Sequence, residues 1–271
     1  MVSVVILTHN EELTLADCLD SIAWSDDITV FDSFSSDRTP EIAKGRGVRF
    51  VQHAFRDYGA QRNEALRLPF KNEWILMLDA DERIPEVLRE EICARVRNAQ
   101  PDLTLLRMRR KDYFMGRWIR RCSGYPTWFG RLGRVGDFWV SREVNEEYQT
   151  NGRVDFLRHH LMHYPFSKGI AHWIDRHNVY STMEARKLAG GEIPPLRLKE
   201  LINRDPAARR KQLKALGYML PFRPIIAILY LLIARRGIIE GLPGIYFASL
   251  RGCYELMIDI KLREYRRQQG M

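Results

Sequence analysis

The 271-residue chain is 45% hydrophobic and 11% aromatic, enough for one full-sized globular domain plus a smaller appendage and too apolar for a disordered chain. Its four cysteines, Cys18, Cys93, Cys122 and Cys253, lie far apart with no C-x-x-C pair, which argues against a disulfide framework or zinc knuckle and fits a reducing compartment. The formal charge of +9 is concentrated in the last quarter: residues 201–271 hold 13 Lys and Arg against 5 Asp and Glu, while residues 1–200 hold 30 against 29. Clustered cations call for an anionic partner, either nucleic acid or acidic lipid headgroups.

The first hundred residues alternate in the manner of a parallel α/β sheet. Val2–Thr8 (VSVVILT) is an apolar, β-branched run that predicts a first strand, with no basic n-region or cleavage site before it, so no secretory signal is expected. Asn10 is placed to cap a helix in which Leu13, Ala16, Leu19, Ile22 and Ala23 recur at near-helical spacing. Ile28–Phe31 predicts a second strand. The polar loop 32–39 (DSFSSDRT) follows, then a short helix with Pro40 in its first turn, ended by Gly45 and Gly47. Val48–Gln52 reads as a third strand, Gly59–Leu68 as a helix, and Trp74–Leu78 as a fourth strand stopping at Asp79. Such continuous hydrophobic strands are those buried on both faces. After a helix over Ile84–Ala99, residues 107–145 read as short strands and loops rich in Arg, Gly and aromatics, and long irregular segments in a compact domain tend to be functional. A helix is expected over Lys168–Leu188, and Pro194-Pro195 marks a junction, giving an α/β domain over residues 1–200 and a basic helical tail over 201–271.

The tail differs in kind. Leu220–Ala234 (LPFRPIIAILYLLIA) is apolar but broken by Pro221 and Pro224. About ten uninterrupted apolar residues remain before Arg235-Arg236, against roughly 20 needed to cross a bilayer. Ile245–Leu250 is a second apolar stretch, after the turn GLPG, and the chain closes on the basic Lys261–Arg267. Apolar side chains beside Lys and Arg suit an interfacial segment on an anionic membrane; packing against the first domain is the plain alternative.

The chemistry gathers at predicted strand ends. Asp79-Ala80-Asp81 closes a buried strand, and ligands of open α/β sheets bind outside such carboxyl ends. Two carboxylates spaced i, i+2 reach one side of the crevice, and their hard oxygens suit Mg²⁺ or Mn²⁺, which draw remaining ligands from substrate phosphates. An ordinary helix-capping turn is the alternative. Thr8-His9-Asn10-Glu11 ends the first strand, Asp32-Ser33 the second, and Gln61-Arg62-Asn63 opens the helix after the third. Each alone reads as a common turn or cap. Together on one edge they offer a nucleotide acceptors from Thr8, Glu11 and Asp32, and a cation near its diphosphate from Arg62. No G-x-G-x-x-G or P-loop is present.

The segments VSVVILTHNEE, VFDSFSSDRT, DYGAQRNEAL and WILMLDADER resemble the successive nucleotide-binding motifs of glycosyltransferase family two, which has the GT-A fold: a Rossmann-like mixed, mostly parallel sheet flanked by helices. DYGAQRNEAL with LDADER is similar to the bacterial branch that builds the lipopolysaccharide core, which includes β-1,4-glucosyltransferases. Gly116–Arg134, Val144–Glu147, His163-Tyr164 and GIIEGLPG extend the resemblance over nearly the whole chain. It implies an inverting transfer of a hexose from a UDP-sugar to a lipid-anchored saccharide, with Thr8, Asn10, Glu11 and Asp32 at the nucleoside. Gln61 and Arg62 would lie near the diphosphate, and Asp79 and Asp81 would serve sugar and Mg²⁺ or Mn²⁺. Where the branch shows His-Glu after a valine, this chain has Asn145-Glu146, and Glu146 aligns with the general base. A carboxylate there suits direct displacement, because it takes the acceptor's proton as the hydroxyl attacks. Asp137 is the weaker substitute.

Arg107–Arg121 (RMRRKDYFMGRWIRR) holds seven cations with interleaved aromatics and reads as a surface facing an anionic glycolipid in preference to a solvated strand or a nucleic-acid patch. Pro126-Thr127-Trp128 and Trp139 are candidate platforms for sugar rings, and His159, His160 and His163 lack the companions of a zinc site. The enzyme is expected on the cytoplasmic face of the cell membrane, with no nucleic acid. A polyprenyl-phosphate acceptor and a noncatalytic membrane or nucleic-acid binding module are the rival readings.

Overall fold

The structure, a computed structural model, describes residues 1–141, 147–191 and 222–268, together with the short pieces 196–197, 199, 212–213, 215–218 and 220. The chain forms two compact units: residues 1–113 with 126–167, and residues 114–125 with 168–271. The Pro194-Pro195 junction and the boundary expected at residue 200 lie outside the described residues.

In the first unit, β1 (Ser3–Thr8), α1 (Leu15–Ser21), β2 (Ile28–Asp32), α2 (Thr39–Gly45), β3 (Arg49–Gln52), α3 (Tyr58–Leu66) and β4 (Trp74–Asp79) follow in the expected order. Next come β5 (Glu82–Arg83), α4 (Glu86–Arg97) and β6 (Leu103–Phe114), whose last residue enters the second unit, where β7 (Arg117–Trp118) lies. The first unit resumes with β8 (Trp128–Arg134), β9 (Phe138–Ser141), β10 (Glu147–Thr150) and β11 (Arg153–His163). Among the described residues the main sheet runs β3-β2-β1-β4-β8-β6-β11-β5. The β3-β2-β1-β4 block is parallel, as is β6 with β11, while β8 is antiparallel to both β4 and β6. This is the mixed, mostly parallel sheet flanked by helices that the GT-A resemblance implies.

Alternation along buried strands builds a layer on each face. Val4, Ile6, Leu76 and Leu78 face Leu15, Leu19, Leu88 and Ile92 of α1 and α4. Val5, Ile75 and Met77 face Phe31, Ala65, Phe138, Val140 and Tyr148 on the other side. Because burying one such side chain contributes about 1.5–3 kcal/mol, a one-residue slip that exchanged the two sets would be strongly disfavoured. That register fixes which residues stand at the strand ends. The short β9–β10 ribbon lies against β8 where a Cβ at Gly133 would come within 2.3 Å of the Phe138 ring, so the close approach requires glycine.

Two sequence expectations are corrected. Asn10 does not cap the first helix: it takes a left-handed conformation (φ 55°), its side-chain oxygen accepts from the Ser36 amide at 2.8 Å, and α1 starts only at Leu15. Asparagine tolerates that conformation, and the bond ties the loop after β1 to the loop after β2. Leu13, outside the helix, is 67% exposed. Short strands and loops, expected over residues 107–145, begin only after Phe114. β6 continues unbroken to Phe114, with Arg109 and Arg110 over the rings of Trp128 and Phe129 at 4.9 and 4.3 Å, so that their cations cover aromatic faces of the neighbouring strand.

In the second unit α5 (Gly169–Ala189) packs on a 27-residue helix, α7 (Leu242–Gln268), through Ala185, Leu188, Ile258 and Leu262. A shorter helix, α6 (Arg223–Leu229), has Pro224 in its first turn and runs into a π turn over Tyr230–Ala234 and a 3₁₀ turn over Gly237–Glu240. No helix among the described residues is long and apolar enough to cross a membrane.

Candidate active site

The parallel register sets Thr8 opposite Asp32, and Leu7 opposite Asp79, so the three polar strand ends stand side by side. Thr8 Oγ1 donates to Asp32 Oδ1 at 2.8 Å. Asp32 is fully buried and its other oxygen accepts from the Ser35 amide at 2.8 Å and from Gln52 Nε2 at 3.2 Å. It therefore organises the loop that follows β2. Gln61 Nε2 donates to Ser33 Oγ at 3.0 Å, with its Oε1 3.1 Å from His53 Nδ1, which ties α3 to the same loop. On the β1 side the Glu11 amide donates to Thr39 Oγ1 at 2.7 Å and Thr14 Oγ1 donates to Glu11 Oε2 at 2.7 Å. Residues Thr8, Asn10, Glu11, Asp32 and Gln61 thus belong to one hydrogen-bonded rim.

Beneath the rim lies a network of buried charge. Arg62 NH2 donates to Asp79 Oδ1 at 2.8 Å, and Arg131 NH2 to Asp79 Oδ2 at 2.5 Å and Glu82 Oε1 at 2.7 Å. Tyr148 Oη accepts from Arg131 NH1 at 3.2 Å, and the Asp79 amide donates to Glu82 Oε2 at 3.0 Å. Burial opposes the charge on Asp79, but Arg131 and Arg62 overcome it and hold its carboxyl far below the usual carboxylate range. Burial, then the charge of Asp79, pushes Glu82 upward against the pull of Arg131. Arg131 stays charged despite its burial because Asp79 and Glu82 surround it. Sequence reasoning assigned neither Arg131 nor Glu82. The available signal was an arginine inside an apolar strand (FGRLGR), since a buried arginine must be paired.

Through Arg110, whose NH1 lies 3.9 Å from Glu82 Oε1, that network extends to Asp81. Its Oδ2 lies 3.4 Å from Nε2 of His163, whose Nδ1 lies 2.7 Å from Asp112 Oδ1, and Arg110 Nε is 2.9 Å from the same Asp112 oxygen. Burial and the Arg110 charge disfavour protonation of His163, yet Asp81 and Asp112 push it up to about 9. For a divalent cation, Asp81 supplies a hard oxygen, and His163, oriented from behind by Asp112, could join only as neutral imidazole, on release of the proton it holds. Both Asp79 oxygens are already held by guanidinium groups, so Asp81 fits a cation better than Asp79 does. Among the described residues no group of three or more His, Cys, Asp or Glu is arranged to hold an ion. A cation here would fill its shell from diphosphate oxygens and water, as Mg²⁺ commonly does.

Other candidates fall elsewhere. Glu146, with Glu143, lies outside the described residues. Asp137 is exposed in the turn after β8, where the Val135 amide donates to the Glu73 carbonyl beside the amino end of β4, the end opposite Asp79. It is therefore no substitute base for this cleft. Trp128 packs edge-on to Phe156 at 4.9 Å beneath Arg109, whereas Trp139 is 43% exposed. His159 and His163 of β11 do not converge: His159 turns to Glu91, with 2.9 Å between Nδ1 and Oε2, whereas His163 pairs with Asp81 and Asp112.

A sheet of this topology, with paired carboxylates and an arginine at its strand ends, is joined by a direct family match: residues 3–156 fit Glycosyl transferase family 2. The chain belongs to that family and is a glycosyltransferase. It is similar to the lipopolysaccharide core biosynthesis glycosyltransferase LpsC of Rhizobium meliloti, 28% identical over 202 residues that cover 71% of this chain and 73% of that protein. A shorter alignment, 34% identical over 92 residues, links it to an uncharacterized glycosyltransferase of Rickettsia typhi and covers 34% of this chain and 31% of that protein. Among solved structures, glucosyl-3-phosphoglycerate synthase of Mycobacterium tuberculosis, bound to Mn²⁺, UDP-glucose and phosphoglyceric acid, is 18% identical. That match has a TM-score of 0.37 and covers 50% of this chain and 56% of that one.

Proposed function

We propose that the protein is an inverting, metal-dependent hexosyltransferase that moves a sugar, glucose first among candidates, from a UDP-sugar to a lipid-anchored saccharide such as lipopolysaccharide core. The observation that carries the donor half is the Thr8–Asp32 bond beside the Arg62–Asp79 pair, at adjacent strand ends of a family-2 chain. The likeness to a lipopolysaccharide-core enzyme supports the acceptor half. Thr8, Asn10, Glu11 and Asp32 would shape the nucleoside pocket, with Gln61 and Arg62 toward the diphosphate and Asp79 toward the sugar. Mg²⁺ or Mn²⁺ held by Asp81, with His163 beside it, would neutralise charge on the departing nucleoside diphosphate. Glu146 would take the proton from the acceptor hydroxyl as oxygen attacks the anomeric carbon, and inversion follows from that single displacement. The exposed apolar and basic residues of the second unit support work at the anionic inner face of the cell membrane.

The test is transfer from a panel of UDP-sugars, with Mn²⁺ present, to core saccharide on lipid. Glu146→Gln is expected to lower transfer by about 10² or more while nucleotide affinity stays near normal. An unchanged rate would move the base elsewhere, and efficient transfer to bare polyprenyl phosphate would replace the acceptor reading.

A further inference from the structure

Within the second unit, the segment 114–125 is built into the tail. The Glu240 carboxylate accepts from the amides of Arg120 and Arg121 at 2.6 and 2.9 Å and of Cys122 at 3.4 Å. Charge-assisted bonds of this kind are roughly twice as strong as neutral ones. Arg235 returns the grip, donating from Nε to the Arg121 carbonyl at 3.2 Å and from NH2 to the Tyr125 carbonyl at 2.7 Å. Phe114 meets Phe247 edge-on at 6.1 Å, and a Cβ at Gly237 would fall 2.0 Å from Cys122 Sγ, so glycine is required where the tail passes that thiol. The outer side of this clamp carries unpartnered apolar groups: Ile233, Ile238, Ile239, Leu242 and Tyr246 are between 48% and 69% exposed. Arg117 and Arg120 are exposed beside them, with the Arg117 guanidinium 3.5 Å from the Glu240 carbonyl, and Arg236 is exposed at the turn itself.

Isoleucines in water are costly, and several grouped on one turn mark a contact surface. Cations beside them specify what touches it: the apolar groups enter an acyl boundary while guanidinium groups meet phosphate. We propose that residues 114–125 and 233–246 form one composite docking surface for an anionic phospholipid bilayer, held in shape by Glu240 and Arg235. This rests on the membrane reading above but changes its content. The distal part of the basic run, Arg117 to Arg121, serves lipid phosphate and not the saccharide, and the tail alone is an incomplete membrane anchor.

Co-sedimentation of the full chain with phosphatidylcholine vesicles, with and without phosphatidylglycerol, tests it. Wild type is expected to bind the anionic vesicles, less so at high salt. Arg117→Gln with Arg120→Gln should weaken that binding about twenty-fivefold, at roughly fivefold per lost cation. Ile238→Ser with Ile239→Ser should abolish it. These exposed substitutions leave folding intact, so Glu240→Gln, which loosens the clamp, is read against them and should weaken binding as well. All variants should keep wild-type UDP binding with Mn²⁺; a wild type that does not bind UDP would defeat the UDP-sugar donor reading and leave this one standing. Unchanged vesicle binding by the arginine pair would overturn the composite surface. So would a wild type that ignores anionic vesicles, or one that buries the isoleucines in a concentration-dependent dimer.

Discussion

Arg131 in the first unit is 3% exposed, with Asp79, Glu82 and Tyr148 around its guanidinium, whereas Arg117 and Arg120 in the second unit are exposed beside the isoleucines of the tail. The residue type is the same and the physics is opposite. A buried cation is tolerated only with partners, and in return it fixes those partners in place. An exposed cation costs little to hold and remains available to whatever anion arrives. The strand-end charge network is thus preorganised, whereas the exposed arginines of the second unit are the ones assigned to lipid in the proposal above.

One substitution made in both places separates the two. Arg131→Met takes the nearest cation from buried Glu82 and leaves Asp79 with Arg62 alone, and should lower folding stability by about 3–5 kcal/mol. Arg120→Met should stay within about 0.5 kcal/mol of wild type, since its backbone amide still serves Glu240. Denaturant unfolding of both variants checks this, and equal losses would erase the contrast.

A smaller effect separates the units by pH. In the second unit burial, then the charges of Arg251 and Arg176, pushes His177 down from 6.5 to about 4 against the help of the Trp173 carbonyl, and the ring lies 3.5 Å from that of Trp173. The folded chain therefore refuses a proton that the unfolded chain accepts, and stability should fall as pH drops from 6.5 toward 4. His163, pushed up to about 9 in the first unit, has the reverse sign: its contribution is full below 6.5 and is lost as pH rises through about 9. His177→Phe should flatten the acid limb of the stability profile, measured by denaturant unfolding across that range. An unaltered slope would remove His177 from the account.

What sequence revealed followed from period and punctuation. Apolar runs ending in Thr8, Asp32 and Asp79 marked both the sheet and the edge where its polar strand ends meet, because side chains alternate along buried strands. Arg131 stayed hidden because its partner Asp79 ends another strand, β4, and Glu82 because it pairs with Arg131 of β8, and ion pairs across strands leave no periodic trace. Asn10 misled because its capping chemistry also suits a left-handed loop residue. Asp112 behind His163 was invisible for the same reason as Arg131: β6 and β11 are neighbours only in space, with Asp112 opposite His163 in the parallel register. The basic run concealed a division, its first part, in β6, covering aromatic rings of β8 and its last part bound to the tail by Glu240.

The central claim is that Asp81, beside the Arg62–Asp79 pair, presents a divalent cation to a nucleoside diphosphate, and calorimetric titration of UDP tests it most directly. Wild type should bind UDP at least about tenfold more tightly with Mn²⁺ than in EDTA, and Asp81→Asn should bind it weakly and alike in both. Equal affinity of wild type in Mn²⁺ and EDTA, or an Asp81→Asn variant that keeps the full metal response, would contradict the account.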